Sequence, residues 1–212
     1  MKHLIKPIAL VLLLVFVLSL ASCGAPELES VKPRFAELIE ASYELNEIFF
    51  GAGLETYARD GEFATEHRIY DDVSAGYDTY ELVKENMKYF DAQAIMEAAE
   101  QVYSADYLDG IYTMAFDGYA DSTTGVVTTA RYLMDGTKLL RYSYGNEDSF
   151  DILRGKQRRY DLDSMKITRP SRANFVSLSI DSYLIGDEDN ILNVTLRFVL
   201  QDGEWYLDSP TY

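Results

Sequence analysis

Downstream of residue 22 the chain has one histidine, His67, so an imidazole base or a Ser-His-Asp arrangement has only this residue to use. It lies in the polar run Thr65-Glu66-His67-Arg68, which reads as a surface loop, and a metal site built on two histidines is excluded. Two acidic segments, Asp117-Gly118-Tyr119-Ala120-Asp121 and Asp187-Glu188-Asp189-Asn190, invite a calcium reading. Tyr119 and Ile191 stand where oxygen ligands are wanted and no glycine follows at the sixth place, so both are expected to be plain turns, and no metal or cofactor is expected. Carboxylates are plentiful, but no spacing sets one with a raised pKa across a cleft from another, as glycosidase chemistry requires. The local basic cluster Arg154, Lys156, Arg158 and Arg159 is expected to serve acidic neighbours within the fold, with lipid phosphates as the alternative partner. Catalytic residues are therefore not assigned, and the expectation is a protein that is not an enzyme.

The remaining reactive group is the single cysteine, Cys23. It follows Lys2, His3 and Lys6, an uncharged run from Pro7 to Ser22, and the sequence Leu20-Ala21-Ser22-Cys23-Gly24. The apolar run from Ile8 to Leu20 fits the h-region of an export signal and is shorter than the roughly 20 residues a membrane-spanning helix needs. An aliphatic residue, two small residues and a cysteine resemble the lipobox of bacterial lipoproteins. The resemblance implies removal of residues 1–22 as a signal peptide, a diacylglycerol thioether on Cys23, and a tether over residues 23–30. The protein is then expected on the extracytoplasmic face of a bacterial cell membrane, with the lipid as its membrane partner. The alternative is an ordinary secretory signal that happens to end beside a cysteine. An acylated Cys23 leaves no thiol for a disulfide, a nucleophile or a metal.

Charge narrows the partners further. The whole chain has a formal charge of −16, and loss of Lys2 and Lys6 makes the remainder more negative by two. Nucleic-acid binding, which draws on Lys and Arg neutralising phosphates, is excluded on this balance, and an anionic leaflet repels the domain. The composition, with 48% hydrophobic and 25% charged residues, is that of a folded protein. The 17 tyrosines and 10 phenylalanines suit either half-buried strands or a surface that meets sugars, peptides or proteins.

The elements that would position these residues are read from periodicity. Phe35, Leu38, Ile39, Ser42, Leu45 and Phe49 share one face of a helix ending near Gly51, with Pro33 in its first turn and Glu37, Glu40, Glu44 and Glu47 facing water. Residues 51–76 read as a long irregular connection. Helical patterns are expected over 78–89, 91–103 and 105–116. After Gly125 the period becomes two: a strand through Val126–Met134, a turn at Asp135-Gly136, a strand over 137–144, and further strands near 158–167 and 176–184. A turn over Gly186–Asn190 then leads to a strand with Leu192, Val194, Leu196, Phe198 and Leu200 on a dry face. Asp202-Gly203 turns the chain into a last strand with Trp205 and Leu207 inward.

The expected class over residues 31–212 is α+β, with N-terminal helices packed on a curved antiparallel sheet. That layout, together with the closing strand Asp202-Gly203-Glu204-Trp205-Tyr206-Leu207, resembles the nuclear transport factor 2-like superfamily. The resemblance implies a cone-shaped pocket. Strand parity would put Tyr132, Tyr142, Phe198 and Trp205 on its wall, for a small apolar ligand. A docking surface for another envelope protein, and a pocket isomerase or hydrolase of the same fold, are the other readings.

Overall fold

The computed structural model describes residues 24–57, 64–70, 75–85, 88–120, 127–142 and 150–212, and over 64–79 and 119–128 the backbone alone. The signal segment, Cys23, Asp121 and the His67 side chain lie outside what is described.

Helix α1 (Leu28–Phe50) buries Val31, Phe35, Leu38, Ile39, Ser42, Leu45 and Phe49 at three- and four-residue steps, as the periodicity requires. It begins three residues before the expected domain start, so Pro33 is its sixth residue and not part of its first turn. Pro33 has no N–H to donate to the Glu29 carbonyl, a defect the packed face tolerates. The helix ends at Gly51, whose N–H donates to the carbonyls of Asn46 and Glu47 at 3.0 and 3.2 Å.

The connection expected over 51–76 holds strand β1 (Ala64–Tyr70) and the start of β2 (Ala75–Leu82), an antiparallel hairpin. The helical reading of 78–89 is wrong for the same reason: Tyr80 and Leu82 pair with Tyr142 and Leu140. Local spacing there is compatible with a helix, but the hydrogen-bond partners lie some 60 residues away in sequence, and tertiary pairing prevails. Helix α2 (Ala92–Glu100) and helix α3 (Ala105–Tyr112) follow, the latter continuing into a π-turn over Thr113–Asp117. Asp91 and Ser104 cap them by accepting from the N–H groups of Ala94 and Tyr107.

The short strands β3 (Tyr119–Ala120) and β4 (Val127–Thr128) pair with each other. Next come β5 (Tyr132–Asp135) and β6 (Lys138–Tyr142), joined at the Asp135-Gly136 turn. The chain finishes in a meander: β7 (Arg158–Arg172), β8 (Phe175–Leu184), β9 (Asp187–Gln201) and β10 (Glu204–Leu207). The Asp202-Gly203 turn has both residues at positive φ, +51° and +89°, as a two-residue hairpin needs. The turn expected over 186–190 is tighter and sits at Ile185-Gly186, with the acidic residues already in β9.

The strands form two four-stranded antiparallel sheets, ordered β1-β2-β6-β5 and β10-β9-β8-β7, neither of them closed. The class is thus α+β, helices on antiparallel sheet, with a hairpin interposed between the first helix and the other two. Helix α1 lies on the inner face of the second sheet, where Phe35 stacks on Phe198 with centroids 3.8 Å apart and meets Trp205 edge-on at 5.4 Å. The dry face of β9 is shorter than its sequence implies. Leu196 and Phe198 are buried, but Leu192 is 49% exposed, and β10 pairs only with Phe198–Gln201, so the first half of β9 is also an edge.

Candidate functional site

The first sheet builds the largest of the described clefts, a cavity of about 680 Å³. Its floor forms where β2 runs past its last ladder pair: the Val83 N–H donates to the Leu139 carbonyl at 2.9 Å. On the other side the Tyr57 N–H donates to Leu82 and the Lys84 N–H to Glu55. Three short segments, 55–57, 82–84 and 138–140, are thereby locked side by side. Leu82, Val83 and Leu139 line the cleft from this layer, with Tyr57 beside them.

The opposite lip comes from the segment before α2. Tyr89 is buried and Phe90 is 64% exposed. Burial is the main cause that raises the Tyr89 hydroxyl pKa. Lys88 lies over the Tyr89 ring at 4.9 Å and bonds Glu44 of α1, and that bond chiefly raises the Lys88 pKa. Phe90 occupies the position just before the α2 cap, where an apolar residue commonly packs on the fourth helical residue, here the buried Ile95. It lines the cleft and presents most of its surface to water. The polar groups of the lining are Lys84, Glu85, Thr137 and Lys138. Lys84 pairs with Glu55 at 3.1 Å. A shallower cleft of about 330 Å³ adjoins it through Val83, Lys84, Glu85 and Tyr89, and reaches Glu44, Glu47 and Gly53 at the end of α1.

The four residues expected on one pocket wall fall into two groups. Phe198 and Trp205 pack on Phe35 in the N-terminal half of α1, and Phe198 is fully buried. Tyr132 lies at the other end of that helix: its hydroxyl donates to the Ile48 carbonyl at 2.9 Å and accepts from the Leu54 N–H at 3.1 Å. Thirteen residues of helix, roughly 20 Å, separate Phe35 from Ile48. Tyr142 is half-buried and meets Tyr80 and Phe150 edge-on, each at 5.6 Å. None of the four lines the 680 Å³ cleft.

Carboxylates are placed differently from the needs of acid-base chemistry. Glu81, the buried acid among the described residues, accepts a hydrogen bond from Thr56 at 2.6 Å. Glu85, the one acid of the cleft lining, is exposed. Among the described residues no group of three or more His, Cys, Asp or Glu is placed to hold a metal ion. Two members of the basic cluster find neutral partners: Arg158 donates to the Ser182 hydroxyl, and Arg159 donates to Gln157 while lying over the Tyr43 ring at 4.2 Å. Glu188, in the second acidic segment, accepts from the Gly186 N–H, and its pKa is lowered by that bond.

Sequence reasoning missed Tyr57, Leu82, Val83 and Leu139 because their segments pair across long separations, and Phe90 because it faces them from the segment before α2. One signal was present: Tyr89-Phe90 directly before Asp91, an aromatic pair at a helix entrance. No protein-family model matches this chain, and no curated protein is similar to it beyond chance.

Proposed function

We propose that the chain is an extracytoplasmic protein of a bacterial cell envelope, anchored by lipid on Cys23, whose domain binds a small apolar ligand without transforming it. The lipid anchor is supported by the charged start, the apolar run and Leu20-Ala21-Ser22-Cys23 in the required order. Among the described residues no helix is long and apolar enough to cross a membrane. A cone of the nuclear transport factor 2-like kind is supported by α1 lying on the inner face of the β7–β10 meander.

The observation that carries binding is the cleft between Tyr57 and Phe90, with its aliphatic floor and an aromatic lip left in water. Its volume is in the range of small-molecule sites. A pocket enzyme would want a desolvated acid in that cleft, and the lining supplies only the exposed Glu85.

Anchor and ligand site are tested separately. Cells fed radiolabelled palmitate should label the wild-type protein and not Cys23→Ser; label on both, or on neither, refutes the anchor. Calorimetric titration of the full chain with the neutral probe 4-phenylbutanamide should show saturable binding that Phe90→Ala weakens at least about fivefold. A flat titration refutes the cleft.

A further inference from the structure

We infer that the cleft beside Phe90 selects amphiphilic anions: ligands with an aliphatic or aromatic body and one acidic group, a carboxylate being the simplest. The inference rests on the binding reading above and adds the charge of the ligand. The body would lie on Leu82, Val83 and Leu139 under the Phe90 ring, and the acidic group would take the ammonium of Lys138.

Three observations carry it. The first is that Lys138 lines the cleft from the turn end of the β5–β6 hairpin, is exposed, and forms no ion pair or side-chain hydrogen bond with any described residue. An anion meeting it therefore breaks no existing pair. Lys84, at the same floor, is by contrast already held by Glu55.

The second is the balance of charge where a ligand would sit. Lys84 and Lys138 face Glu85 in this lining, Glu55 is bonded to Lys84 and Asp135 stands opposite Lys138 in the hairpin register, so the balance here is within one charge of neutral, in a chain whose net charge is −16. The adjoining shallow cleft has Glu44, Glu47, Glu55 and Glu85 against Lys84 alone. The cleft between α2, α3 and the β9–β10 turn has Glu100, Asp109 and Asp202 with no basic residue. At physiological salt the screening length is about 8 Å, so the groups of the lining outweigh the distant acidic surface. A fourth cleft, at the β7–β8 turn, has Arg172 and no acidic residue, but of these four clefts the one beside Phe90 is where a basic group meets an exposed aromatic ring.

The third is Phe90 itself. An aromatic ring two-thirds in water, at a place where the fold offers it Ile95 to pack on, has its apolar surface available to a ligand body. Apolar surface and free ammonium thus share one cavity of about 680 Å³, and that pairing matches an amphiphile better than a sugar or a plain hydrocarbon.

The test compares two probes that differ only in charge. 4-Phenylbutanoate and its neutral amide are titrated into the full chain in detergent, with the heats of titration into detergent alone subtracted. The carboxylate should bind at least about fivefold more tightly than the amide. Lys138→Glu should abolish or invert that preference while leaving the affinity for the amide within about twofold, and Lys138→Arg should keep it. Lys138 is exposed, so an unchanged thermal melt of these variants shows that the fold is intact. Equal affinities for the two probes, or a preference that survives Lys138→Glu, overturn the anion and leave the apolar cleft standing. Binding of neither probe overturns the cleft as well.

Discussion

Gly53 shows how tightly single residues are held where α1 meets the first sheet. It adopts φ +78°, and a Cβ there would come within 2.6 Å of the Arg131 guanidinium and 2.9 Å of Arg141 Cδ. Those arginines are fixed by their work: Arg131 donates to the Gly51 carbonyl and Arg141 to that of Leu54, fastening the segment that leaves the helix. Neither the backbone nor the arginines can yield cheaply. Gly53→Ala should therefore cost about 1–3 kcal/mol, a drop of several degrees in a thermal melt. A melt unchanged within a degree would show that the two guanidinium groups can retreat. The same crowding illustrates what sequence can and cannot convey about a residue. Gly53 is visible as a glycine in an irregular stretch, but the crowding that excludes a Cβ becomes apparent only once Arg131, just before β5, and Arg141 of β6 are brought against it.

Between elements, a directed chain of hydrogen bonds ties α1 to the α2–α3 connection and to the segment after β10. The Tyr103 hydroxyl donates to Asn46 Oδ1 at 3.0 Å, and Asn46 Nδ2 donates to the Thr211 hydroxyl at 2.8 Å. Ser42 donates its one proton to the Ile39 carbonyl at 2.6 Å, so Thr211 must be the donor in the 2.7 Å contact between the two hydroxyls. All four side chains are buried and every proton points the same way. Thr211→Val keeps the shape but strips Asn46 of its acceptor and Ser42 of a donor. Chemical denaturation should register a loss of about 1–3 kcal/mol, and Asn46→Leu with Thr211→Val should recover part of it. A neutral Thr211→Val would mean that water replaces the hydroxyl. Elements of this kind were legible to different degrees. The face of α1, the helical character of α2 and α3, and both Asp-Gly hairpins follow from local spacing, because the interactions that fix them lie within a few residues. The β1–β2 hairpin and the cleft do not, since Leu82 acquires its meaning from Leu140 and from Tyr57, which no window of sequence brings together.

For the molecule as a whole, the tyrosines set an alkaline limit. Tyr103, Tyr107, Tyr112 and Tyr160 all have pKa values raised above the ordinary 10.0, with burial the largest cause in each. A raised value in the folded state means that the native protein holds these protons more tightly than the unfolded chain does. The stability they contribute is complete below pH 10 and falls as pH rises beyond it. Unfolding free energy should thus be flat near pH 9 and decline steeply above pH 10, more than exposed tyrosines would allow, and Tyr103→Phe should blunt the decline. A profile that stays level to pH 11 would contradict the burial of these rings. A different consequence attaches to the arrangement of strands. Among the described residues the two four-stranded sheets share no ladder, and α1 reaches the second through Phe35 and the first through Ile48. Each sheet is then a candidate cooperative unit with its own free energy of local opening. The cleft takes its floor from the first, its lip from the segment before α2, and no residue from the meander. A ligand held there acts as a clamp on the first unit and that lip, raising its opening free energy by about 2.7 kcal/mol at a hundredfold excess over Kd and leaving the breathing of the meander as it was.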